Sequence, residues 1–195
     1  MRNSNPVYFF VEGETEEHFL KDLRKSEYIL PKKILKFNLW DGTSRKLKGL
    51  LSSAKGTKPY FFIIYDTDVV SNIDNFKDNL NLLHGYSGTI FLVQQNFNLE
   101  DELMHACNCS MDTLCDAFLC RDTSNREFKR NVLRCDKMLK KLKVIGFDHV
   151  KMWSKNKELL SELKSFSEVK NSTNKKTICI SDLMGMVSRT GINGF

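Results

Sequence analysis

The first hundred residues alternate between two kinds of pattern. Short runs rich in aromatic and β-branched residues, PVYFFVEG (6–13), KKILKFNLW (32–40), KPYFFIIYDTD (58–68) and GTIFLVQQ (88–95), read as strands. Between them stand TEEHFLKDLRKS (15–26), TSRKLKGLLSSA (43–54) and NIDNFKDNLNLLHG (72–85), whose apolar residues recur at helical spacing. Thr15 is the expected cap of the first helix, and Gly85 the expected end of the third. A strand-helix alternation of this kind predicts an α/β fold with a mostly parallel sheet flanked by helices.

The pattern changes after about residue 98. NLEDELMHAC, MDTLCDAFLC, REFKRNVLRCDKMLKKLKVI and NKELLSELKSFSEV all read as helices, VKNSTNKK as a linker, and the tail TICISDLMGMVSRTGINGF as ambiguous. The expected division is therefore an α/β unit over 1–107 and a helical, basic extension over 108–195. Residues 121–157 carry twelve Lys or Arg against four acids, more than the whole chain's net charge of +6. In the long helix expected there, Phe128, Val132, Cys135, Leu139 and Leu142 mark an apolar face. Arg126, Arg130, Arg134, Lys137 and Lys141 mark a positive one, a candidate surface for a nucleic-acid backbone. A merely solvated lysine-rich face is the competing reading.

Carboxylates gather where the strand-like runs stop. Glu12 closes the first, and Asp66 and Asp68 close the third, two apart and so able to face one side. Ligands of open α/β sheets bind beyond the carboxyl ends of the strands. Carboxylates converging there repel one another unless a positive charge sits among them, and a hard divalent cation such as Mg²⁺ or Mn²⁺ suits oxygen ligands. Ordinary loop acids, or acids that favour a helix N-terminus, are the bland alternative.

VEGETE followed about fifty residues later by IIYDTD resembles the Toprim domain of topoisomerases, primases and certain nucleases. Together with NLEDEL, these motifs are most similar to the OLD and RloB-like nuclease branch of phage defence, over roughly residues 5–107. The resemblance implies a Rossmann-like sheet, a role for Glu12 as metal ligand or general base, and metal-holding roles for Glu16, Asp66 and Asp68. It implies a later acid at Glu100, with Asp101 or Glu102 as alternatives, and a tight strand-to-helix turn at Gly13. The implied activity is Mg²⁺-dependent hydrolysis of RNA or DNA, tRNA included. No G-x-x-x-x-G-K-[ST] motif is present, so an ATPase or sensor partner would be a separate chain, and homo-oligomerisation would enlarge the basic footprint.

Two other chemistries are weighed against this one. DTDVV fits the nucleophile motif of haloacid-dehalogenase-type phosphatases, but that family carries it on the first strand. A non-catalytic nucleic-acid or partner-binding module would make the acids structural. In HACNCSMDTLC the Cys and His spacing does not match a paired zinc site, so Cys107, Cys109 and Cys115 read as core. His18 alone among the histidines lies near the acids, and exposed helix surface is its expected place. With no apolar run near membrane-spanning length, no signal-like start and six cysteines expected to remain thiols, the chain is expected to be soluble and cytoplasmic.

Overall fold

A computed structural model of the chain describes residues 6–26, 29, 33–68, 70–86, 88–154, 159–167 and 176–179. Five parallel strands, β1 (Val7–Val11), β2 (Lys33–Lys36), β3 (Tyr60–Tyr65), β4 (Thr89–Gln94) and β5 (Lys176–Cys179), form one sheet in the order β2-β1-β3-β4-β5. The chain is thus an α/β protein with a parallel sheet, consistent with a Rossmann-like fold. The strands β1, β3 and β4 are apolar at nearly every position because helices cover both faces of the sheet. At the edge, β2 is only partly covered and begins and ends on lysine.

Helices α1 (Glu14–Lys25), α2 (Ser44–Leu50) and α3 (Ile73–His84) are the successive crossovers. The step from β1 to β2 runs opposite to the steps from β2 to β3 and from β3 to β4. Right-handed connections must then place α1 on one face and α2 and α3 on the other. The two apolar clusters follow that rule. Phe19, Leu20 and Leu23 of α1 pack with Phe9, Phe62 and Phe91, while Leu47 of α2 and Phe76, Leu80 and Leu83 of α3 pack with Phe10, Phe61 and Ile63. Parallel register sets Phe9 beside Phe62 and Phe62 beside Phe91, giving a stacked row with centroids 4.8 and 4.5 Å apart. Each such pair contributes about 0.5–1.5 kcal/mol beyond its burial.

Helices α4 (Leu99–Cys107), α5 (Met111–Ala117), α6 (Asn125–Leu133) and α7 (Met138–Val144) continue on the α1 face. Their Leu103, Leu114, Phe128, Val132, Leu139 and Leu142 belong to the same cluster as α1, so the boundary expected at residue 107 falls inside continuous core. A 3-10 turn at Ser161–Leu163 and the short α8 (Lys164–Ser167) then bring Leu163 to the opposite face ahead of β5. Among the described residues no helix is long and apolar enough to cross a membrane.

Several local expectations change. Thr15 does not cap α1: Gly13 occupies that position and Thr15 is buried within the first turn. Ser124 caps α6, accepting from Glu127 N at 3.2 Å. The single helix expected over 126–145 is two, broken between Leu133 and Met138 although the apolar spacing runs on. Contacts from α1 hold the break. Asp22 Oδ2 accepts from Leu139 N at 2.7 Å at the start of α7, and the His18 ring bonds Cys135 O at 2.7 Å. His18 is therefore half-buried rather than on exposed helix surface. Part of the ambiguous tail forms β5, while residues 169–175 of the expected linker and the tail beyond Cys179 lie outside the described residues.

Candidate functional site

In a 2-1-3-4-5 sheet the strand order reverses between β1 and β3, and the crevice at their carboxyl ends is the favoured ligand position. Glu12 leaves β1 there and Asp66 leaves β3. Asp66 N donates to Glu12 Oε1 at 3.3 Å, and Asn38 Nδ2 reaches Glu12 Oε2 at 3.5 Å. Asn38 is itself fixed by Trp40 N at 2.7 Å. Gln95 Nε2, just past β4, donates to Asp66 Oδ1, and Gln95 Oε1 accepts from Trp153 Nε1 at 3.4 Å. Each strand-end acid is thus oriented by an amide side chain.

Helix N-termini supply the next two acids. Glu16, in the first turn of α1, is buried and lies beside Gly13, where an added Cβ would come within 2.5 Å of Glu16 Oε2. Gly13 has φ −118°, so its lack of a side chain leaves room for the Glu16 carboxylate and is not needed for the backbone turn. Glu100, in the first turn of α4, is 1% exposed. Neither of its carboxylate oxygens has a hydrogen-bond partner, and Lys129 Nζ stands 3.6 Å from Oε1. Glu102 turns to the loop before α4 and accepts from Asn96 N at 2.7 Å, which leaves Glu100 as the acid beside Glu16. Asp68 is exposed at the rim.

Burial and mutual repulsion dominate the electrostatics. Burial, then the charges of Glu16, Glu12 and Asp68, push the Asp66 carboxyl up to about 8, with Lys129 acting against them. Burial pushes Glu12 up to about 7, aided by Glu16 and Asp68 and opposed by the Asp66 N–H and the Trp40 indole. Burial also raises Glu16 and Glu100, and Lys129 lowers both. All four acids are short of positive charge.

Among the described residues, no three His, Cys, Asp or Glu side chains stand together at ion-holding spacing. The donor chemistry still fits a hard divalent cation, since the acidic groups at the crevice are carboxylates and Glu100 presents two buried oxygens without hydrogen bonds.

The spacing of Phe128 and Val132 could have drawn attention to Lys129, because it flanks that buried face while Arg126 and Arg130 point outward. The expected basic stripe is divided. Arg126, Arg134 and Lys137 are exposed, Arg130 pairs with Glu127 at 2.6 Å, and Lys141 Nζ lies 5.3 Å from the centroid of the Phe118 ring. Cys107 and Cys115 are core residues whose thiols burial pushes up to about 12.

Phe97 completes the rim. It is 59% exposed with φ +66°, a conformation that costs a bulky residue energy. Its carbonyl accepts from Thr67 N at 2.9 Å and Asp68 N at 3.3 Å, and its N–H donates to Thr67 Oγ1 at 3.1 Å. The ring is thereby tied to the loop that carries Asp66 and Asp68. Comparison of the chain with protein-family models, curated proteins and solved structures finds no match.

Proposed function

We propose that the chain is a Toprim-type, divalent-metal-dependent nuclease that hydrolyses phosphodiester bonds of RNA, tRNA included, or DNA. One observation carries the reading: Glu12 and Asp66 end adjacent strands at the switch point of a parallel sheet with buried Glu16 and Glu100 nearby, all four raised by burial, and Lys129 opposes the shift at Glu16, Asp66 and Glu100. Glu12, Glu16, Asp66, Asp68 and Glu100 would hold one or two Mg²⁺ or Mn²⁺ ions. Bound there, the metal supplies a Lewis acid for the phosphoryl group and a hydroxide nucleophile at neutral pH.

The chain's own residues do the rest. Gln95 and Asn38 hold Asp66 and Glu12 in one orientation. Lys129, half-exposed beside Glu100, can turn its ammonium to a phosphate oxygen, and the Phe97 ring offers an unpaired base a stacking surface. Exposed Arg126, Arg134 and Lys137 can follow the backbone further out.

Purified protein incubated with plasmid DNA and total tRNA, with Mg²⁺, Mn²⁺ or EDTA, tests the activity. Metal-dependent cleavage that Glu12→Ala and Asp66→Ala abolish is the expected result, and wild-type cleavage by either variant would sink the assignment. The rival reading, a non-catalytic nucleic-acid or partner-binding module, draws on the absence of a closed ligand triad among the described residues. It predicts binding without metal-dependent cleavage.

As to biological role, the reading extends to a cytoplasmic effector of antiviral defence, restrained or assembled by a separate ATPase or sensor and acting as a homo-oligomer. Expression alone and with genomic neighbours, with and without phage, checks this. Toxicity that depends on Asp68 supports it, and equal toxicity of an Asp68→Ala variant overturns it.

A further inference from the structure

At the amino-terminal edge of the sheet, away from the carboxylates, lies a cleft of about 740 Å³. It opens between the segment that leads from α2 into β3 and the C-terminal end of α3. Lys48, Lys55 and Lys58 line it, together with Ser52, Thr57, Leu82 and Tyr86, and no acidic residue does. Lys48 is in the last turn of α2, where a cation complements the helix dipole. Lys55 follows the 3-10 turn Ser52–Ala54, whose C-terminal end it caps, and Lys55 and Lys58 flank the turn at Gly56, whose φ is +74°. Among the described residues none of the three lysines forms a salt bridge.

Three ammonium groups around one concavity repel one another, and a ligand bearing two or more negative charges removes that repulsion. Amines and metal ions are disfavoured for the same reason. The opposite wall is apolar. Tyr86 sits edge-on to the buried Phe61 ring, 6.2 Å between centroids at 84°, so its own ring is held in place, with Leu82 beside it. The volume falls within the ~300–1,000 Å³ of small-molecule sites. We propose that this cleft binds a nucleotide, its phosphates on Lys48, Lys55 and Lys58 and its base against Tyr86 and Leu82. The site is separate from the carboxylate crevice and does not depend on the nuclease reading.

Titration calorimetry of the full chain in buffer freed of metal on a chelating resin, with ATP, AMP, adenosine and inorganic pyrophosphate, tests the proposal, because removing metal suppresses metal-bridged binding at the carboxylates without adding a competing polyanion. ATP is expected to bind more tightly than AMP and than pyrophosphate, with adenosine weakest. Reversal of the exposed pair, Lys55→Glu with Lys58→Glu, should weaken ATP by about tenfold or more for each lysine. Tyr86→Leu should weaken ATP while leaving pyrophosphate unchanged. No binding of ATP at millimolar concentration, or binding indifferent to the lysine pair, overturns the site. Pyrophosphate binding as tight as ATP, or ATP binding unchanged by Tyr86→Leu, overturns the nucleotide assignment.

Discussion

Lys129 Nζ lies 3.6 Å from Glu100 Oε1, close enough for attraction and too far for a hydrogen bond, while the Glu100 side chain is 2% exposed. The lysine also acts on Glu16 and Asp66. It is therefore a counter-charge shared by three acids, and its removal leaves buried charge unbalanced.

Lys129→Met should destabilise the metal-free protein by about 1–2 kcal/mol at pH 8, below the range for fully buried pairs because the lysine is 44% exposed. The loss should be smaller at pH 5 than at pH 8, because burial raises the Glu100 carboxyl and protonating it removes the charge that the lysine balances. Pairing the change with Glu100→Gln should recover most of the deficit. Urea denaturation at the two pH values measures all three effects.

Glu12 and Asp66 set the pH dependence of the metal-free fold. Their folded values, about 7 and about 8, lie above the reference values of 4.5 and 3.8. The folded state therefore binds protons more tightly than the unfolded one. Their stabilising contribution is full below pH 4 and is lost as pH rises through 7 and 8. In EDTA the melting temperature should fall between pH 5 and pH 8.5, and Glu12→Gln with Asp66→Asn should flatten that fall. At pH 7 added Mg²⁺ should release protons, seen as a binding heat that varies with buffer ionisation enthalpy.

The divided basic surface makes separable predictions. Neutralising exposed Arg126, Arg134 and Lys137 should lower the salt dependence of nucleic-acid binding, by about 0.9 in slope for each phosphate that is no longer neutralised. Arg130→Ala should act chiefly on stability through its Glu127 partner, with a slope close to wild type. Binding measured across a salt series distinguishes the two variants.

Phe97→Gly should relieve the left-handed strain, raising stability by about 1 kcal/mol. The same change removes a ring that, stacked on a base, contributes about 1–3 kcal/mol. Single-stranded substrate should bind more weakly while the melting temperature rises. A variant that melts higher and binds single strands as tightly as wild type would remove Phe97 from the substrate path.

The strands and most helices were legible because their signals are local. VYFFV, YFFIIY and TIFLVQ are apolar over runs of strand length, and Gly85 does end α3. The residue types at the strand ends were legible too, since Glu12, Asp66 and Asp68 closely follow those runs. Each of these features is set by neighbours a few residues away.

The tertiary structure decided what depends on distant partners. That β2 lies outside β1, so the sheet reverses between β1 and β3, follows from pairings across dozens of residues. No glycine or proline marks the break between α6 and α7; it is held by Asp22 and His18, each 117 residues away in sequence from its partner. Lys129 looked like one more cation in a basic run. Packing of α6 beside α1 carries it to Glu100 and Glu16, because a charge flanking a buried helix face goes where that face is buried. Local sequence determined the elements and supplied the acids, whereas only long-range packing could bring one lysine to Glu16, Asp66 and Glu100.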